Sequence, residues 1–100
     1  MTKKDAEGDF VIVRGPPGVY AGYLQSEDAT GNVVLSDAFC LWYYAGAASL
    51  NQLALEGVKR PSECKFSVSV PVMRLKQIFQ VIPVSAKAKE NLLGVRRWLV

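Results

Sequence analysis

Phe10-Val11-Ile12-Val13 is an unbroken apolar run, closed by Arg14 and the turn-forming Gly15-Pro16-Pro17-Gly18. β-Branched residues followed by Gly and Pro predict a first strand and a tight turn. Val19 to Gln25 reads as a second strand, and Gly22 within it marks a bend or a close backbone approach. After the polar stretch Ser26–Gly31, Asn32–Leu35 predicts a third strand and the aromatic-rich Ala38–Tyr44 a fourth. The period then changes. Ser49 followed three positions later by Gln52 is a capping-box pattern, and Leu50, Leu53 and Ala54 share one helical face. A helix over Leu50–Glu56 is expected, with Gly57 just past its end and Pro61 barring a simple continuation.

Lys65 to Val70 alternates strictly, which places Phe66, Val68 and Val70 inward, and Gln77–Ile82 supplies a further strand. Ser85 caps a last helix reaching about Leu93, with Gly94 at its end and Ala88, Leu92 and Val95 as its apolar stripe. Val95–Val100 reads as extended, with Trp98 against the body. The order β-β-β-β-α-β-β-α predicts an α+β fold: a strongly bent antiparallel sheet or a small SH3/Sm-like barrel with two short helices. Residues 1–8 are expected to be a polar, flexible arm and residues 9–100 a single domain. A chain of 100 residues buries only about 60–65% of its unfolded surface, so a homo-oligomer is expected.

Composition narrows the chemistry. Histidine is absent, which removes the usual general base, the Ser-His arrangements and the commonest zinc ligand. Cys40 and Cys64 give neither a disulfide framework nor a metal site and read as reduced thiols. No catalytic residue, metal or cofactor is therefore assigned, and a non-enzymatic protein is expected. No apolar stretch is long enough for a membrane span, and the first residues lack the apolar core of a signal peptide. The net charge of +3 is unevenly spread. Acidic residues outnumber Lys3, Lys4 and Arg14 in the first half. Later, Lys59, Arg60 and Lys65 face Glu63, and Arg74, Lys76, Lys87, Lys89, Arg96 and Arg97 face Glu90. The late basic groups suit an anionic ligand or partner.

The most distinctive stretch is Leu41-Trp42-Tyr43-Tyr44-Ala45-Gly46-Ala47-Ala48-Ser49-Leu50-Asn51-Gln52. Side chains alternate along a strand, so Trp42, Tyr43 and Tyr44 cannot all enter one core, and an outward ring is available to stack a base or a partner. Gly46, Ala47, Ala48 and Ser49 lead into a helix start suited to phosphate, and Asn51 and Gln52 carry amide edges able to read a base. Arg60 and Lys65 are the expected phosphate holders, with Arg96 and Arg97 reaching in from another subunit. Together these residues predict a site for a nucleotide-like small molecule.

Two resemblances add context. Residues 22–38, Gly22-Tyr23-Leu24-Gln25-Ser26-Glu27-Asp28-Ala29-Thr30-Gly31-Asn32-Val33-Val34-Leu35-Ser36-Asp37-Ala38, resemble the first signature of Sm-like RNA-binding proteins. That resemblance implies a uracil-holding role for Asp28 and Asn32 in a ring of subunits, with Arg96 and Arg97 as further nucleic-acid contacts. Gly31 stands where that family has its stacking side chain, and the second signature is absent. Over residues 10–98 the chain is similar to a family of small tailed-bacteriophage proteins of unsettled function. The likeness rests on Tyr20-Ala21-Gly22, on Leu41–Ala54, on Gly57-Val58, on Cys64-Lys65-Phe66 and on Val95–Trp98. It implies an accessory protein in the cytoplasm of an infected bacterium; by analogy with other small oligomeric phage proteins, the expected role is to bind a nucleotide-derived immune signal and blunt host defence. The alternatives are an Sm-like RNA-binding ring and an interaction module that inhibits a host protein.

Overall fold

The structure, a computed structural model, describes residues 8–16 and 18–98. The arm expected over residues 1–8 lies outside these except for Gly8, as do Pro17 of the first turn and Leu99 and Val100 of the final segment. The fold is α+β: a six-stranded sheet and two helices. The strands are β1 (Phe10–Gly15), β2 (Gly18–Glu27), β3 (Val33–Tyr43), β4 (Lys65–Phe66), β5 (Val70–Leu75) and β6 (Gln80–Pro83). The helices are α1 (Leu50–Glu56) and α2 (Ala86–Leu93), and Pro61–Glu63 makes one 3-10 turn.

All strand pairings are antiparallel, in the order β4-β3-β2-β1-β6, with β5 on β3 beside β4. The sheet is curled. A flat sheet would hold β5 and β6 about 19 Å apart, four spacings of about 4.8 Å, and require a fully stretched connection between them. The connection is instead folded: Gln77 has φ 62°, Ile78 is buried, and the amides of Ile78 and Phe79 donate to the carbonyls of Gly31 and Arg14. The curl gives the sheet two apolar faces. Phe10 and Ile12 enter the main core with Phe39, Leu41, Phe66, Leu53 and Leu92, while Val11 and Val13 join Val33, Leu35, Leu75 and Ile78 on the other side. Strand β1 is apolar at every position from 10 to 13 because both its faces are covered.

The third and fourth expected strands are one strand. Ala21 pairs with Phe39 and Tyr23 with Ser36, so Asp37 and Ala38 together oppose Gly22. This bulge places Asp37 at φ 46°. A Cβ on Gly22 would sit 3.0 Å from Ala38 Cα and from the Ser36 carbonyl, which is the close approach its position predicts. The expected strand 65–70 divides instead. Leu41 pairs with Phe66 and Ala38 with Val70, so Ser67, Val68 and Ser69 stand opposite only Phe39 and Cys40. The extra residue breaks the alternation. Phe66 is buried, but Val68 and Val70, expected inward, are exposed. Val70–Leu75 then forms an additional edge strand bearing Pro71, a residue compatible with an unpaired edge.

Both helices start as their sequences predict. Ser49 Oγ accepts from the Gln52 amide at 3.1 Å. Ser85 Oγ accepts from the Ala88 amide at 3.0 Å and donates to the Leu55 carbonyl at 2.8 Å, tying the start of α2 to the end of α1. Asn91 of α2 completes the tie: its Oδ1 accepts from the Val58 amide at 2.8 Å and its Nδ2 donates to the Val58 carbonyl at 3.1 Å. Asn91→Ala leaves both partly buried backbone groups unpaired and is expected to cost about 1–3 kcal/mol. A urea titration checks this, and an unchanged midpoint would contradict it.

Candidate functional site

The three consecutive aromatics part company. Trp42 and Tyr43 end β3 with exposed rings, whereas Tyr44 is partly buried against the main core. Trp42 does not stand alone. Trp98, in the segment after α2, lies on it with ring centroids 4.8 Å apart and planes inclined at 34°. Lys65 of β4 holds its Nζ 5.4 Å from the Trp42 ring centroid and 5.3 Å from that of Trp98. The placement follows from local pairing. Lys65 is opposite Tyr43 across the β3–β4 ladder, and the Trp98 amide donates to the Phe66 carbonyl at 2.9 Å. A parallel bridge between Phe66 and Arg97 fixes the same segment beside β4. Both indoles keep large exposed surfaces, 62% for Trp42 and 45% for Trp98.

Next to this pair is a cleft of about 560 Å³ lined by Pro61, Ser62, Cys64, Gly94, Arg96, Arg97 and Trp98. Trp98 belongs to both features. Arg96 is exposed and Arg97 partly buried. The Arg97 guanidinium lies 3.9 Å above the Phe39 ring centroid and 5.9 Å from that of Phe66. Its NH1 nitrogen is buried without a hydrogen-bond partner. Burial holds the Arg97 pKa below its ordinary value, yet a guanidinium remains a cation at any physiological pH. Arg97 is therefore a desolvated charge resting on aromatic faces. Cys64, buried at the cleft, is tied to backbone: its Sγ accepts from the Ala45 amide at 3.3 Å and donates to the Arg60 carbonyl at 3.5 Å. Both cysteines are free thiols, and burial pushes the Cys40 thiol up.

The remaining residues of the expected nucleotide site lie elsewhere. Tyr44, Ser49 and Asn51 line a second cavity, of about 510 Å³, with Arg14, Val19, Leu50 and Gln80. The helix start at this second cavity is already engaged by its own side chains. Gln52 Oε1 accepts from the Ala48 amide at 2.8 Å and its Nε2 donates to Glu56 at 3.3 Å. Gln52 thus reaches back to the amide just before the N-cap, a variant of the expected capping box, and is not a free amide edge. Gly46 does permit a close approach, but to the chain itself: at φ 88°, a Cβ would sit 2.6 Å from the Lys59 nitrogen and 2.8 Å from that of Arg60. Gly46→Ala combines a left-handed backbone with that collision, so a loss of about 2 kcal/mol or more is expected. A thermal melt unchanged from the parent would contradict this. Ala47 packs against the core. Arg60 is held by Glu63, Nε to Oε1 3.2 Å.

Asp28 and Asn32, the residues of the Sm-like resemblance, bind each other. The Asp28 carboxylate accepts from the Thr30 hydroxyl at 2.8 Å, the Thr30 amide at 2.9 Å, the Asn32 side chain at 2.9 Å and the Asn32 amide at 3.1 Å. These donors, Thr30 first and then Asn32, hold its pKa well below the usual carboxylate range. The depressed folded value means that stabilisation is full above the unfolded pKa, about 3.9, and is lost as pH falls towards the folded one. Asp28→Ala is therefore expected to lower the Tm at neutral pH by a few degrees, with the gap narrowing below about pH 4. Paired melts across that range test this, and a gap independent of pH would contradict it.

The sequence pattern assigns Trp42, Lys65, Arg96 and Arg97 to one site, with the two arginines supplied by another subunit; in the structure all four belong to adjoining features of the same chain. The pattern left out Trp98 as a site residue, and Arg14 of the second cavity. The available signal was the tryptophan count of two, one in each flank of the resulting site. No curated protein matches the sequence. Residues 8–92 match the profile of a domain of unknown function, DUF6948, and the chain belongs to that family.

Proposed function

We propose that this protein is a non-enzymatic binder of a nucleotide-derived small molecule, with Trp42 and Trp98 as its stacking platform and Lys65 as its first cation. One observation carries the reading: two exposed indoles packed together, with an ammonium about equidistant from both ring centroids. Exposed tryptophan faces beside a cation suit a planar base with negative charge next to it. Binding of this kind requires no acid, base or nucleophile. On this proposal the binder works as a homo-oligomer in the cytoplasm of a phage-infected host and sequesters a nucleotide immune signal; the resemblance of Leu41–Ala54 to small tailed-bacteriophage proteins supports that setting. The Asp28–Asn32 loop supports the RNA-ring alternative less, because its carboxylate is already saturated by donors of the same loop.

A thermal-shift panel of cyclic di- and trinucleotides and ADP-ribose derivatives tests the reading. At 100 times Kd, one ligand adds about 2.7 kcal/mol, a rise of about 10 °C or more for a domain of this size. At least one compound is expected to produce that rise together with quenching of tryptophan emission. No shift and no quenching across the panel would overturn it.

A further inference from the structure

Resting on that stacking reading, we propose that the cleft between the Pro61–Cys64 turn and residues 94–98 is the anion end of the same site. Its ligand then carries phosphate next to the ring: a nucleoside phosphate or a small cyclic oligonucleotide. The volume, about 560 Å³, is that of a pocket for one small molecule. Among the described residues the lining includes the basic Arg96 and Arg97 and the hydroxyl-bearing Ser62, and no acidic residue. Neighbouring Glu63 is engaged by Arg60, which reduces its opposition to an anion.

Arg97 gives the strongest indication. A charged nitrogen buried without an acceptor is costly, and ring faces offset only part of that cost. NH1 is shielded in this way, the guanidinium rests over the Phe39 ring, and among the described residues it has no ion pair with a carboxylate. An anion in the cleft would supply compensation to a cation that is already desolvated and oriented. Guanidinium geometry matches phosphate oxygens in pairs. Trp98 is the neighbour of Arg97 in sequence, a wall of the cleft and the stacking partner of Trp42. Base and phosphate sites therefore adjoin on one segment, and Lys65 supplies a third positive charge on the indole side.

The test titrates tryptophan emission of the full chain with adenine and guanine compounds, each as nucleoside, monophosphate and cyclic dinucleotide. In at least one series the phosphates are expected to bind about tenfold or more tighter than the nucleoside, a preference that shrinks at high salt. Arg96→Ala changes an exposed side chain and preserves the fold. It is expected to weaken phosphate binding about fivefold more than nucleoside binding. Arg97→Lys keeps the charge but loses the paired geometry, and is expected to reduce the preference as well. Equal affinity for nucleosides and phosphates overturns the anion site, and so does a preference intact in both variants. In either case nucleoside quenching would still uphold the stacking reading. No quenching by any probe overturns both.

Discussion

Phe39→Ala is expected to lower the Tm by about 15 °C or more. Phe39 is fully buried in the main core, 6.3 Å from the Phe10 ring and 5.7 Å from the Phe66 ring. Truncating such a side chain costs about 3–5 kcal/mol, partly through lost transfer energy and partly through the cavity left behind. A small domain has only about 5–15 kcal/mol in total. A second cost is particular to this fold, because Phe39 is the face on which the Arg97 guanidinium rests, 3.9 Å from the ring centroid. Removing the ring leaves a partly buried cation without its main support. Phe39→Leu separates the two effects, since it retains most of the apolar volume and removes the π face. Its cost is expected to be about 1–2 kcal/mol. Melts followed by circular dichroism measure both. A fall of only a few degrees for the alanine variant would mean that Phe39 is not the keystone of this core.

Trp98→Ala has the largest expected effect on binding. It removes half of the ring platform and one wall of the cleft at once, and stacking on an aromatic is worth about 1–3 kcal/mol per base. Affinity for a ring-bearing phosphate is expected to fall about tenfold to a hundredfold. Stability is expected to change little, because the indole is nearly half exposed. Trp98→Phe should recover part of the loss, because it restores a ring of smaller area. Calorimetric titration with the tightest compound of the panel gives the comparison. Unchanged affinity in Trp98→Ala would remove Trp98 from the site.

What could be read from the chain was chiefly what is local. Ser49 with Gln52, and Ser85 at the start of α2, cap their helices through contacts of three or four positions. Propensity and spacing specify such contacts directly. The buried run Phe10–Val13 and the tight spot at Gly22 were legible for the same reason. Strand division was not. Asp37 accepts a positive φ, so two expected strands continue as one through a bulge. The three-against-two slip at Ser67–Ser69 likewise depends on how β4 and β5 share β3, a tertiary fact.

The site was legible in pieces. Trp42, Lys65, Arg96 and Arg97 were identifiable by type, whereas the pairing of Trp42 with Trp98 depends on the final segment lying beside β4. Small residues mislead in the opposite direction. Gly46 looks suited to a phosphate, but its open side is filled by the backbone of Lys59 and Arg60. A local pattern shows that something must come close, and the fold decides what does.

The stacking platform is tested most directly by the indole N–H signals in a 1H–15N spectrum, of which there are two because the chain has two tryptophans. On titration with the nucleotide-derived compound that gives the largest thermal shift, both signals are expected to move and saturate together at one affinity. Saturable binding that leaves both indole signals in place would contradict the assignment of Trp42 and Trp98 as the ligand platform.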